Sequence, residues 1–113
     1  MDVQIYTEKE FERQLRKLAK KYRSIIKDYD TFLSELEKNP YQGSSLGEGV
    51  RKVRMAIASK SKGKSGWARV ITYNPYQDGD TVIIDLLTIY DKGEISNITD
   101  DFIKYLLDKR INK

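Results

Sequence analysis

The stretch "VRKVRMAIASKSKGKSGWARVITYNPYQDGDTVIIDLLTIY" (residues 50–90) holds the pattern on which the fold turns. "VRKVRMAI" (50–57) alternates. Arg51, Val53, Met55 and Ile57 fall on one side and Val50, Lys52, Arg54 and Ala56 on the other, the period of two that a strand requires. "SKSKGKSG" (59–66) is a polar, glycine-containing connection, and "WARVITYN" (67–74) is rich in the β-branched and aromatic residues that suit a pleated surface. "PYQDGD" (75–80) contains Asp-Gly, a hairpin-turn signal. "TVIIDLLTIY" (81–90) is apolar almost throughout, as a central strand covered on both faces must be. Three strands joined in this way form an antiparallel meander, with Val53, Met55 and Ile57 expected to face the helices.

Upstream, "VQIY" (3–6) reads as a short first strand. "TEKE" begins at Thr7 and places Glu10 in the capping-box position, after which Phe11, Leu15, Leu18 and Tyr22 recur at helical spacing. Ser24 is placed to cap a second helix whose apolar face is Ile25, Ile26, Tyr29, Phe32, Leu33 and Leu36; "NPYQGSSLGEG" (39–49) ends it and reads as a loop. Downstream, "DKGEISN" (91–97) is a further loop. Thr99 then caps a last helix with Asp100 and Asp101 at its positive end and Phe102, Ile103, Leu106 and Leu107 on its apolar face. The order β-α-α-β-β-β-α predicts an α+β domain over residues 1–113: an antiparallel sheet packed with an N-terminal helical hairpin and a C-terminal helix. Asp85 interrupts the apolar strand; because an unpaired buried carboxylate is costly, it is expected to face the open side or to pair with Arg54 or Arg69.

The chain is 113 residues long and 39% hydrophobic, enough for one modest core. No apolar run approaches the roughly 18 residues that span a bilayer. The opening "MDVQIYTEKEFERQ" lacks the basic-then-apolar order of a secretion signal, so a cytoplasmic protein without membrane partners is expected. There is neither Cys nor His. That excludes disulfides and thiolate chemistry, and removes the usual zinc ligand and the commonest neutral-pH base. Catalysis would fall to Lys, Arg, Tyr, Ser, Thr, Asp or Glu. No tight acidic cluster suggests Mg²⁺, so neither a metal nor a small-molecule cofactor is expected.

The net charge is only +4, but it is unevenly placed: residues 50–77 contain Arg51, Lys52, Arg54, Lys60, Lys62, Lys64 and Arg69 and no acid. If the hairpin register allows, Lys52, Arg54 and Arg69 meet on one open sheet face, with Lys60, Lys62 and Lys64 at its edge. Like charges within a strand repel unless a counter-ion is present. Cations hold phosphates and aromatic rings stack on unpaired bases, so such a face suits RNA. The plainer alternative is a solvated strand pair with a charged loop.

"LGEGVRKVRMAIASKSKGKSGWARVITY" (46–73) and "LLTIYDKGEISNIT" (86–99), with the leading "FERQLRKLAKKYRSI" (11–25), resemble the RelE/ParE superfamily of type II toxin–antitoxin toxins, most of all its RelE- and HigB-type members. The order and spacing of these segments, rather than any one motif, carry the likeness, which spans almost the whole chain. It implies a RelE-like fold and the activity of an mRNA interferase, an endoribonuclease that cleaves mRNA in the ribosomal A site without metal by attack of a ribose 2′-OH. The implied partners are the ribosome, mRNA and a cognate antitoxin, in a bacterial cytoplasm. ParE-type members poison DNA gyrase instead, and a gyrase-targeting toxin and a non-catalytic RNA-binding module are the alternatives.

Carried over by position, Lys52 and Arg54 match the family's paired basic residues, one of them acting in proton transfer or phosphate stabilisation. Arg69 matches the arginine that stabilises the transition state; Tyr90 and Lys92 lie where further catalytic groups stand, with Glu94 a candidate base beside them. Arg51, Lys60, Lys62, Lys64, Trp67 and Tyr73 are the expected RNA contacts, Trp67 either stacking on a base or covering the core. The sequence departs from the family in "SNITDDF" (96–102), which has no Tyr where some RelE members carry their acid, and in lacking the His of some HigB members. Tyr90 is the best replacement.

Overall fold

The apolar run beginning at Thr81 becomes the centre of the sheet. The computed structural model describes residues 2–60, 63, 66–75 and 77–111. In chain order the elements are β1 (Asp2–Thr7), α1 (Lys9–Lys21), α2 (Ile25–Lys38), β2 (Ser44–Gly47), β3 (Val50–Met55), a 3-10 turn (Ala58–Lys60), β4 (Ala68–Tyr73), β5 (Gln77–Asp78), β6 (Thr81–Asp91) and α3 (Asp100–Asp108). The sheet order is β1-β6-β4-β3-β2, and the short β5 also pairs with β6. Among the described residues no helix is long and apolar enough to cross a membrane.

The α+β class and the β3-β4-β6 meander follow the sequence pattern, but the sheet is mixed rather than antiparallel. β1 runs parallel to β6, from Asp2 opposite Thr81 to Thr7 opposite Leu86. The difference originates at 44–49, read as loop, where β2 and β3 form an antiparallel hairpin. Its two linking residues, Glu48 and Gly49, both have positive φ (52° and 82°), the requirement of a tight turn whose twist matches the strands. Glu-Gly is a weaker signal for that turn than Asn-Gly, and "SSLG" is poor in strand formers.

Alternation then sorts side chains onto two layers. On one face Val53, Met55, Val70, Ile84 and Leu86 pack against Phe11 and Leu18 of α1 and Ile25, Phe32 and Leu36 of α2. On the other, Val50, Ile71, Leu87 and Tyr90 pack against Ile103 and Leu106 of α3. Thr99 caps α3 as its sequence predicts, its Oγ1 accepting from Phe102 N at 3.1 Å. The expected capping box at Thr7 does not form. Thr7 closes β1, its hydroxyl donates to Glu12 Oε2 at 2.5 Å, and α1 starts after Glu8 without a side-chain cap. Ile26, placed by its spacing on the apolar face of α2, is 58% exposed.

Two buried carboxylates fix the layers to one another. Asp85 pairs with neither Arg54 nor Arg69. Its Oδ2 accepts from Arg110 Nε at 3.1 Å, and Arg110 lies over the Tyr73 ring, 4.6 Å from its centroid, so a residue just past the end of α3 clamps the helix to the sheet. Asp91 accepts from Lys60 Nζ, from Tyr22 Oη at 2.5 Å and from Gly93 N at 2.9 Å, joining the end of α1, the turn after β3 and the loop after β6. Burial pushes the Asp91 carboxyl up, but these hydrogen bonds and the Lys60 charge outweigh it and hold the group below its ordinary value. Its stabilisation is therefore present above the ordinary carboxylate pKa and is lost as pH falls through the depressed value.

Removing one partner of a buried pair leaves an uncompensated charge, so Lys60→Ala is expected to destabilise the protein by about 3 kcal/mol in urea unfolding at neutral pH. The same network raises the Tyr22 phenol from 10.0 to about 12, first through its hydrogen bond to Asp91 and then through burial. The phenol's contribution is complete below pH 10.0 and disappears as pH rises toward about 12. The stability gap between wild type and Tyr22→Phe should accordingly shrink over that interval in a pH series of unfolding curves.

Candidate functional site

Strand register brings the cations together. Arg54 lies directly opposite Arg69 across β3 and β4, and Arg69 directly opposite Tyr90 across β4 and β6. Lys52 precedes Arg54 on the same face, where α3 does not reach. Lys52, Arg54 and Arg69 line an open groove of about 570 Å³, together with Lys92 from the loop after β6 and Trp67 at the start of β4. The far wall comes from the last turn of α2 and the segment entering β2: Glu35, Gln42, Gly43 and Ser44.

Arg69 is only 8% exposed, and its Nη1 donates to the carbonyls of Trp67 at 3.1 Å and Ala68 at 3.4 Å. Burial lowers its pKa, and the neighbouring Arg54 charge lowers it further against an opposing contribution from Tyr90. Among the described residues no carboxylate forms an ion pair with Arg54 or Arg69. Lys52 Nζ donates to Asn97 Oδ1 at 3.0 Å and Lys92 Nζ to the carbonyl of Ser96, so neutral oxygens also hold the two ammonium groups. The Lys92 backbone N–H donates to the Trp67 carbonyl at 3.3 Å, tying the loop after β6 to the edge of the groove. Guanidinium and ammonium donors that converge with no ion-pair partner among the described residues are suited to a phosphate, and to the extra charge of its pentacovalent transition state.

The other expected residues are distributed differently. Tyr90 is 4% exposed, belongs to the core under α3 and has a buried hydroxyl with no hydrogen-bond partner among the described residues. Burial raises its pKa while Arg69 opposes the rise. Its ring borders a separate, mostly apolar cavity of about 290 Å³ shared with Thr88, Ile95, Ile98 and Phe102, not the cationic groove. Glu94 is exposed, pairs with Lys21 of α1 and lies outside the groove lining. Arg51 points to the opposite face, its guanidinium 5.9 Å from the centre of the Tyr41 ring. Lys60 is turned inward onto Asp91 and the Gly66 carbonyl (2.7 Å), away from the groove lining. Tyr73 lies beneath Arg110. Lys62 and Lys64 lie outside the described residues.

Trp67 is half-buried and stands between the groove and a smaller cavity of about 150 Å³ lined also by Asp28, Phe32, Glu35 and Arg54. Sequence reasoning missed Glu35. Its only linear signal is its place just before the Asn39-Pro40 stop of α2, and nothing in the chain pattern shows that this helix end faces the β3–β4 cations.

The groove depends on a close backbone approach at Gly43. Its φ is +92°, and a Cβ there would lie 2.4 Å from the Lys52 carbonyl oxygen and 2.9 Å from Val53 Cγ2. Left-handed backbone alone costs a non-glycine residue about 1–2 kcal/mol, and the clash with backbone adds to it. Gly43→Ala should lower thermal stability and displace β3 at Lys52, detectable as shifted amide resonances along 51–54. The chain matches no model of a known protein family.

Proposed function

We propose that the protein is a ribosome-dependent mRNA endoribonuclease, the toxin of a type II toxin–antitoxin pair, cleaving RNA without metal through the ribose 2′-OH. The observation that carries the reading is the cross-strand pair Arg54–Arg69, set with Lys52 and Lys92 in one groove that contains no matching ion pair among the described residues. Resemblance to RelE- and HigB-type toxins supplies the ribosome, the mRNA and the cognate antitoxin as partners.

In this reading the RNA backbone lies along the groove with the scissile phosphate between Arg54 and Arg69. The ribose 2′-oxygen attacks the adjacent phosphorus, and the two guanidinium groups stabilise the added negative charge on its equatorial oxygens. Lys52 and Lys92 present N–H donors to the departing 5′-oxygen, which leaves as a hydroxyl. Trp67, at the groove wall, offers a face on which a flanking base stacks. Tyr90 is too deeply buried to reach RNA. Its ring packs against the strand bearing Arg69, and its role is to position that guanidinium.

In a reconstituted translation reaction, wild-type protein is expected to cut mRNA only in the presence of ribosomes, leaving 2′,3′-cyclic phosphate and 5′-hydroxyl ends. Removing a preorganised donor to a developing oxyanion typically costs 10²–10³-fold, so Arg69→Ala should reduce the cleavage rate by about that factor. Intact mRNA with wild-type protein would sink the reading. Gyrase inhibition in that case would indicate a ParE-like target, and RNA binding without products would indicate a plain binding module.

A further inference from the structure

We propose that Glu35 is the general base of the cleavage reaction, an assignment that rests on the RNA-cleaving reading. Transphosphorylation requires an acceptor for the 2′-OH proton. The charged side chains lining the groove are otherwise Lys52, Arg54, Arg69 and Lys92, which in their charged forms only donate. Gln42, Ser44 and Trp67 supply an amide, a hydroxyl and an indole N–H, none of them a useful base. Glu35 is the one carboxylate in the described lining.

Its surroundings suit the task. Glu35 lies in the last turn of α2, and its carbonyl accepts from Asn39 N at 3.0 Å and Gln42 Nε2 at 3.2 Å, so its backbone is tied to the segment that forms the rest of that wall. Its side chain is exposed and takes part in no ion pair or side-chain hydrogen bond among the described residues, leaving both carboxylate oxygens available to accept. It also borders the adjoining cavity with Arg54 and Trp67, where a nucleotide held on the arginines would place its ribose against the α2 wall. The other nearby acids are occupied: Asp28, in the adjoining cavity, accepts from Ser24 Oγ and Ala58 N, Glu94 is paired with Lys21 outside the groove, and Asp91 is buried under Lys60 and Tyr22.

The step balances without metal or co-reactant. The Glu35 carboxylate takes the 2′-OH proton while the 2′-oxygen forms its bond to phosphorus. The bond from phosphorus to the 5′-oxygen breaks, and that oxygen takes a proton from a groove ammonium. The products are a 2′,3′-cyclic phosphate and a 5′-hydroxyl, and solvent returns the Glu35 proton to the amine.

The experiment measures single-turnover cleavage of mRNA on programmed ribosomes at neutral pH for wild type, Glu35→Gln, Glu37→Gln and Arg69→Ala, with ribosome co-sedimentation of each. General-base catalysis is typically worth 10²–10⁴-fold. Glu35→Gln is expected to lose at least about 10²-fold in rate and to sediment with ribosomes as wild type does. Glu37→Gln, exposed on the same helix but outside the groove lining, should cleave as wild type. Glu35→Gln cleaving within threefold of wild type would overturn the assignment while leaving the RNase reading intact. Lost ribosome binding in Glu35→Gln would overturn it in favour of a binding role. No cleavage by wild type would overturn both.

Discussion

β6 carries apolar side chains on both faces, and a strand of that kind has to be covered twice. α1 and α2 cover one side, where Ile84, Leu86 and Ile89 meet Phe11, Ile25 and Leu36. The other side is left to α3, a helix of 9 residues, about 13 Å long at helical rise. That length covers Val50, Ile71, Leu87 and Tyr90 but does not extend over the part of the face bearing Lys52, Arg54 and Arg69. The groove is thus a consequence of unequal cover. One layer is complete and the other stops short, and the uncovered remainder is where strand alternation has placed the cations.

The treatment of charge differs sharply between the two regions. In the core the buried carboxylates are met by donors: Asp85 has Arg110, Asp91 has Lys60, and Glu8 accepts from Ile111 N. In the groove a mostly buried guanidinium is held by neutral carbonyls and stands opposite a second guanidinium. Like charges directly opposed across two strands are destabilising, and removing a cation from water without a partner costs more. The rest of the fold carries that unfavourable arrangement. An anion entering between Arg54 and Arg69 would relieve both terms at once, so the electrostatics that weaken the empty sheet would favour the binding of one.

Much of the architecture was legible in linear patterns because those patterns are local. Alternation in 50–57 and 67–74 separates core from groove, and the near-continuous apolar run at 81–90 identifies the central strand. The direction of β1 was not legible, because it depends on counting chain reversals. One hairpin overlooked at Glu48-Gly49 changes the count by one and turns a parallel neighbour into an antiparallel one. The site divides in the same manner. Lys52, Arg54 and Arg69 were found because two adjacent strands place them. Lys60 looked like its neighbours in a lysine-rich loop, and only Asp91, distant in sequence and near in space, distinguishes it. Glu35 joins the groove through the packing of α2 against β3, which no spacing within either element encodes.

The sheet's order also has a consequence for the making of the protein. β6 lies between β1 and β4, yet it is synthesised after every strand it joins. While the chain emerges, β1 has no lateral partner, and the helical hairpin has only β3 and β4 to cover. The Asp85 carboxylate finds its partner only when Arg110 follows. Pairing the first strand with the last is a contact of long sequence separation, whose loop-closure entropy must be met before any contact rewards it. The nascent chain therefore reaches its native arrangement only once β6 and Arg110 have emerged, and until then its apolar strand edges are open to capture by chaperones or by other chains.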